Sequence, residues 1–71
     1  MAEEIRAPLP GTVVSVLVEP GAVIEIDDEL LIIEAMKMEN MVYAPCAGAV
    51  SAIKVKAGDR IEPGDLLLVI D

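Results

Sequence analysis

Short runs of apolar residues alternate along this chain with proline, glycine and acidic breaks. Thr12-Val13-Val14-Ser15-Val16-Leu17-Val18 is rich in β-branched side chains and stops at Glu19-Pro20-Gly21, which reads as a strand closed by a turn. Ala49 to Lys56 sets Lys54 and Lys56 on one face and Ile53 and Val55 on the other, the period of a strand with one face turned inward. Leu30–Glu34 and Leu66–Ile70 are apolar at almost every position, which predicts strands buried on both faces. Asp27-Asp28 and Pro63-Gly64 mark the turns ahead of them. No stretch sustains i, i+3, i+4 spacing between the breaks, so helix is not expected. The pattern predicts an all-β flattened barrel of about eight short strands.

The pattern also repeats. Shifted by 37 positions, residues 7–34 fall on residues 44–71, and twelve of those twenty-eight positions are identical. Ala7-Pro8 meets Ala44-Pro45, Gly11 meets Gly48, Val13 meets Val50, and Val18 meets Val55. Gly21, Ile24-Glu25, Asp28, Leu30-Leu31 and Ile33 recur as Gly58, Ile61-Glu62, Asp65, Leu67-Leu68 and Ile70. Two units are too few for a solenoid. A closed pair with an internal pseudo-two-fold axis is expected, residues 1–71 forming a single domain from repeats 7–34 and 44–71. Val13 and Val16, like Val50 and Ile53, differ in parity, so a bulge or bend is expected between them.

Residues 35–43 connect the halves and match nothing else in the chain. An apolar strand precedes them, and Met41-Val42-Tyr43 reads as another strand after them. A tight hairpin with Met36 and Lys37 at its tip fits this spacing. Such turns favour Asn-Gly or Asp-Gly because they require positive φ. Met-Lys there costs about 1–2 kcal/mol per strained residue, and a broken local rule at one exposed spot is where function is expected. Glu34 and its image Asp71 should lie at opposite ends of the barrel, leaving Lys37 to project from the end remote from the C-terminus. A lysine between two methionines at such a tip suits covalent modification. A lysine amine in water titrates at about 10.4 and is rarely nucleophilic at neutral pH, so a partner enzyme must activate it.

Composition narrows the choice. The chain carries 13 acidic and 5 basic residues and no histidine, for a net charge of -8. Nucleic acid would therefore be repelled. The excess charge reads first as solubility; the sharper alternative is complementarity to basic docking surfaces on partner enzymes. The lone Cys46 has no partner for an internal disulfide, which favours a reducing, cytoplasmic setting. Its default role is that of a buried small apolar side chain. Met1-Ala2-Glu3-Glu4 leads into no apolar segment of the signal-peptide kind, and Leu66–Ile70 is too short to span a bilayer. No Gly-x-Ser-x-Gly, phosphate loop or metal-ligand cluster is present. Autonomous catalysis is not expected.

Glu34-Ala35-Met36-Lys37-Met38-Glu39-Asn40 contains the run Ala-Met-Lys-Met. With Ala7-Pro8-Leu9-Pro10-Gly11 and the turn glycines Gly21, Gly58 and Gly64, it makes the chain resemble the biotinyl domains, the biotin carboxyl carriers, from Ile5 to Ile70. The resemblance implies two four-stranded antiparallel sheets with the modified lysine on a hairpin. It assigns Lys37 as the covalent attachment residue for biotin and Ala35, Met36 and Met38 as the rest of the motif. Glu34 falls on an acidic position associated with ligase docking. Implied partners are a biotin protein ligase and the biotin carboxylase, carboxyltransferase or decarboxylase subunits between which a carboxyl group is carried, to or from an acyl-CoA or 2-oxo-acid. The repeats align without insertion at Glu19-Pro20-Gly21-Ala22, so the resemblance is to carriers without a protruding thumb.

Two other readings remain open at this level. Lipoyl domains also present a lysine on a hairpin, but with Asp-Lys-Ala where this chain has Met-Lys-Met. A non-carrier acidic interaction module accounts for the charge and leaves the motif unexplained.

Overall fold

The computed structural model describes residues 2–71 and contains eight strands and no helix among them. In order these are β1 (Glu3–Arg6), β2 (Gly11–Val16), β3 (Val23–Ile24), β4 (Glu29–Ala35), β5 (Met38–Tyr43), β6 (Gly48–Ile53), β7 (Arg60–Ile61) and β8 (Leu66–Ile70). They form two four-stranded antiparallel sheets, ordered β1-β8-β6-β3 and β5-β4-β2-β7. The flattened all-β architecture is the one the patterning calls for.

The two halves are interleaved. The short strand β3 leaves its neighbours β2 and β4 to pair with β6, and β7 pairs with β2 in return. Hydrogen bonds outside the ladders come in matched pairs: Val13 N–H donates to Asp59 O at 2.8 Å and Val50 N–H to Ala22 O at 2.9 Å. Likewise Ala7 N–H donates to Asp65 O, and Ala44 N–H to Asp28 O, each at 2.8 Å. The bulge expected from parity is present in both halves. The β2–β4 register shifts between Val13 and Ser15, and the β6–β8 register between Val50 and Ala52. It lets Val13 and Val50 enter the core while Val14 and Ser51 turn outward.

The core is aliphatic throughout. Leu30, Leu31, Ile33, Ile61, Leu67, Leu68, Ile70, Val13 and Val50 are its largest fully buried side chains, and among the described residues no polar side chain is buried with them. Burial of β4 and β8 on both faces, expected from their composition, is corrected by the structure. Ile32 and Val69 face outward and are only half-buried. The consecutive leucines are both interior because the β4–β5 ladder skips Leu30 and the β1–β8 ladder skips Leu67. Such an irregularity turns two successive side chains inward. Cys46 is half-buried and packs against the core rather than inside it.

Acidic side chains close the turns. The Asp28, Asp59 and Asp65 carboxylates accept from the backbone N–H of Glu25, Lys56 and Glu62 at 2.8, 3.0 and 2.8 Å. These local bonds favour the turn over continued strand. Gly11 pairs with Ile61, and Thr12 with both Arg60 and Glu34. The turn after β7 therefore lies beside the end of β4, so β8 starts where β4 stops. The two strands run toward opposite ends of a body with principal extents of 32 × 17 × 17 Å.

Candidate functional site

The β4–β5 hairpin places its tip in solvent. Ala35 pairs with Met38, leaving Met36 and Lys37 as a two-residue loop. Both have positive φ, 55° and 64°, the signature of a primed turn whose twist suits the flanking strands. Among the described residues, the other non-glycine residue with positive φ is Asp27, at 71°. Asp27 is a residue type that tolerates this region, whereas methionine and lysine are not.

The hairpin sorts its side chains by strand alternation. Leu31, Ile33 and Ala35 point inward and are buried, so Ala35 fills the last inward position beneath the tip. Its role is internal support, and a larger side chain would have to displace the core. Glu34 points outward. Met36 is 85% and Met38 67% exposed, so both flexible, polarizable thioethers are open to contact by a partner. Lys37 is exposed and, among the described residues, makes no hydrogen bond or ion pair. The Asn40 side-chain amide donates to Met38 O at 3.2 Å and braces the returning strand.

Glu39 belongs to this site and was missed by sequence reasoning. Folding the hairpin at its tip sets Glu39 directly opposite Glu34, a like-charge cross-strand pair that is mildly unfavourable by itself. Thr12 and Arg60 continue the same row across the sheet. The signal was available: once the tip is placed at Met36-Lys37, the partner of each β4 residue follows by counting. Beneath the row, a Cβ at Gly11 would run into the Glu34 carbonyl oxygen, so glycine there lets β2 approach the base of the hairpin.

The site is convex. No pocket opens among the described residues, and no group of His, Cys, Asp or Glu is arranged to hold a metal ion. A free primary amine on a strained, protruding turn fits attachment of a group by an amide bond, with the attached group extending away from the protein.

Comparison with known proteins agrees with that geometry. Residues 3–70 match the family model described as biotin-requiring enzyme. The methylmalonyl-CoA decarboxylase subunit gamma of Veillonella parvula is 46% identical over 43 residues, covering 61% of this chain and 33% of that protein. This chain therefore spans about a third of that relative's length. In the crystal structure of the Kluyveromyces lactis urea carboxylase, a segment amounting to 6% of that chain superposes on all of this one, with a TM-score of 0.93 and 38% identity. The lipoyl domain of the 2-oxoglutarate dehydrogenase complex from Azotobacter vinelandii superposes on 96% of the chain and 94% of that domain, with a TM-score of 0.84 and 28% identity.

Proposed function

The chain belongs to the biotin-requiring enzyme family, and on that premise we propose that Lys37 is the residue to which biotin is joined. The observation that carries this reading is the pair of positive-φ residues at the hairpin tip, with the lysine amine free of any partner among the described residues. Biotin, once attached, takes up a carboxyl group at one active site and gives it up at another. The residues of this chain bind, present and orient. Met36 and Met38 offer flexible, polarizable contacts to more than one partner pocket. Glu34 and Glu39 mark the outer face of the hairpin with negative charge for a docking ligase. Ala35 and Gly11 hold the base of the hairpin firm. Tethering raises the effective concentration of the carried group at both active sites.

Residues 1–71 are read as a single biotinyl domain built from repeats 7–34 and 44–71, a reading supported by the matched hydrogen bonds and bulges of the two halves. Its partners are a biotin protein ligase and the carboxylase and carboxyltransferase or decarboxylase subunits of a biotin-dependent complex, with an acyl-CoA or 2-oxo-acid as final substrate. The domain itself is a carrier and not a catalyst. A cytoplasmic setting is supported by the unpaired Cys46. Alignment of the two halves without insertion supports a carrier of the thumbless type.

The test is the intact mass of the protein after incubation with a biotin ligase, ATP and biotin, beside Lys37→Arg. A single biotinyl increment that the variant lacks is expected. Labelling that persists in the variant, or modification by a lipoate ligase alone, would overturn the assignment.

A further inference from the structure

The two ends of the molecule are built from equivalent positions, and the chain gives them opposite chemistry. Under the 37-residue shift, Arg6 corresponds to Tyr43, Lys54 to Leu17, Lys56 to Glu19 and Arg60 to Val23. Together with Lys37, these are all five cationic residues of the chain, and all five stand in the half of the body that ends in the hairpin tip. Arg60 lies across Thr12 from Glu34. Arg6 donates to Gly64 O at 2.9 Å, in the turn that leads into β8. Lys54 N–H donates to Leu67 O at the start of that strand.

At the opposite end the same framework presents apolar side chains. Tyr43 pairs with Glu29 on β4, and Leu17 N–H donates to the neighbouring Leu30 O at 2.9 Å. The turn carrying Ile26 is held to Ala44, the residue after Tyr43, by Asp27 N–H to Ala44 O at 2.7 Å and Ala44 N–H to Asp28 O at 2.8 Å. Val23, on β3, precedes that turn. Val23 is 81% and Ile26 62% exposed, and Leu17 and Tyr43 are about half so. Tyr43 is the only aromatic residue in the protein, and it stands on the surface of a domain whose core is wholly aliphatic. Surface aromatics beside exposed aliphatics mark interfaces rather than scattered solvent contacts. Interleaved with these residues along the chain, and exposed, are Glu19, Glu25, Asp27, Asp28 and Glu29, with no cation between Leu17 and Glu29.

We propose that this end is a docking surface for a partner protein whose contact face is apolar at its centre and ringed by lysine and arginine. Charge complementarity selects this occupant. A second copy of the chain would bring the same carboxylates face to face across a two-fold contact. An anionic membrane would be repelled by them. Because the patch lies at the end of the body remote from Lys37, the partner holds the domain while the hairpin stays free. The inference stands apart from the identity of the group on Lys37.

The probe is a synthetic helical peptide with leucine on one face and lysine on the others, titrated into the 15N-labelled chain. A lysine-only peptide of equal charge is the control. The comparison variant is Leu17→Lys, Val23→Arg, Tyr43→Arg, which places at this end the residues the fold already accepts at the other. Expected are amide shifts centred on residues 17, 23, 26 and 43 and absent at 36–38, weaker binding of the control, and a loss of affinity of about tenfold or more in the variant. Shifts spread equally over Glu34, Glu39 and the other carboxylates, or an unchanged affinity in the folded variant, would overturn the proposal. Should the triple variant lose its native spectrum, Tyr43→Arg alone is read the same way. A dimer in sedimentation that the variant abolishes, or flotation of the chain with phosphatidylcholine–phosphatidylserine vesicles, would equally overturn it.

Discussion

Met36 and Lys37 hold, at φ 55° and 64°, the left-handed backbone that asparagine and glycine usually supply. Glycine at Met36 should relieve strain, so Met36→Gly is expected to raise unfolding free energy by up to about 1 kcal/mol. Denaturant titration measures this. The same variant should be a poorer substrate for a biotin ligase, read from labelling rates, because the thioether is gone. If the rate is unchanged, Met36 has no part in recognition. Turn carboxylates act at this scale too. Asp28→Ala and Asp65→Ala each remove an acceptor from a backbone N–H and should each cost about 1 kcal/mol. Equal losses in the two variants would show that the two halves share their turn energetics.

Strands β2, β4, β6 and β8 were legible in the sequence because β-branched and leucine-rich runs between Gly, Pro and Asp breaks admit little else, but β2 and β6 end sooner than expected, at Val16 and Ile53, so the alternation from Ile53 to Lys56 lies past the end of β6. The hairpin tip followed from the same breaks, since an unmatched segment between two strands leaves few ways to turn. The break in parity at Val13 and Val50 marks both bulges in the sequence. β3 and β7 were not legible: two residues each give no period to detect, and they pair with strands from the other half of the chain. β1 was hidden by Glu3, Glu4 and Arg6, whose exposure on an edge strand leaves Ile5 as its one buried residue. Glu39 escaped because its meaning comes from the residue across the ladder, not from its neighbours in sequence. The close contact at Gly11 gives an element-level prediction. Gly11→Ala must push β2 away from Glu34, and a loss of about 2 kcal/mol or more is expected by denaturant titration. Because Glu34 anchors the hairpin, labelling of Lys37 should slow in the same variant.

At the scale of the whole molecule, a net charge of -8 on 71 residues is opposed by a single exposed ion pair, Arg6 with Glu4 at 2.7 Å, among the described residues. Such a pair contributes little, so self-repulsion among the carboxylates is largely uncompensated. The thermal midpoint should therefore rise as KCl is raised from about 10 mM to about 1 M, over which the screening length falls from about 30 Å to about 3 Å. A midpoint that falls instead would mean that attractive pairs outweigh the repulsion. The leucines of both halves meet in one interior. Leu30→Ala and Leu67→Ala are each expected to cost about 2–5 kcal/mol, a large share of the stability of a domain of this size.

The exchange of β3 and β7 means that neither half possesses its own complete set of ladders. Severed at the hairpin tip, peptides 1–36 and 37–71 would each be left with strand edges that only the other can satisfy. Circular dichroism should report disorder for each alone and β structure on mixing. Two copies of one such peptide, offering each other the same short strand, would have the geometry of a symmetric dimer. The repeat and the shared sheets together make each half the template on which the other completes its strands.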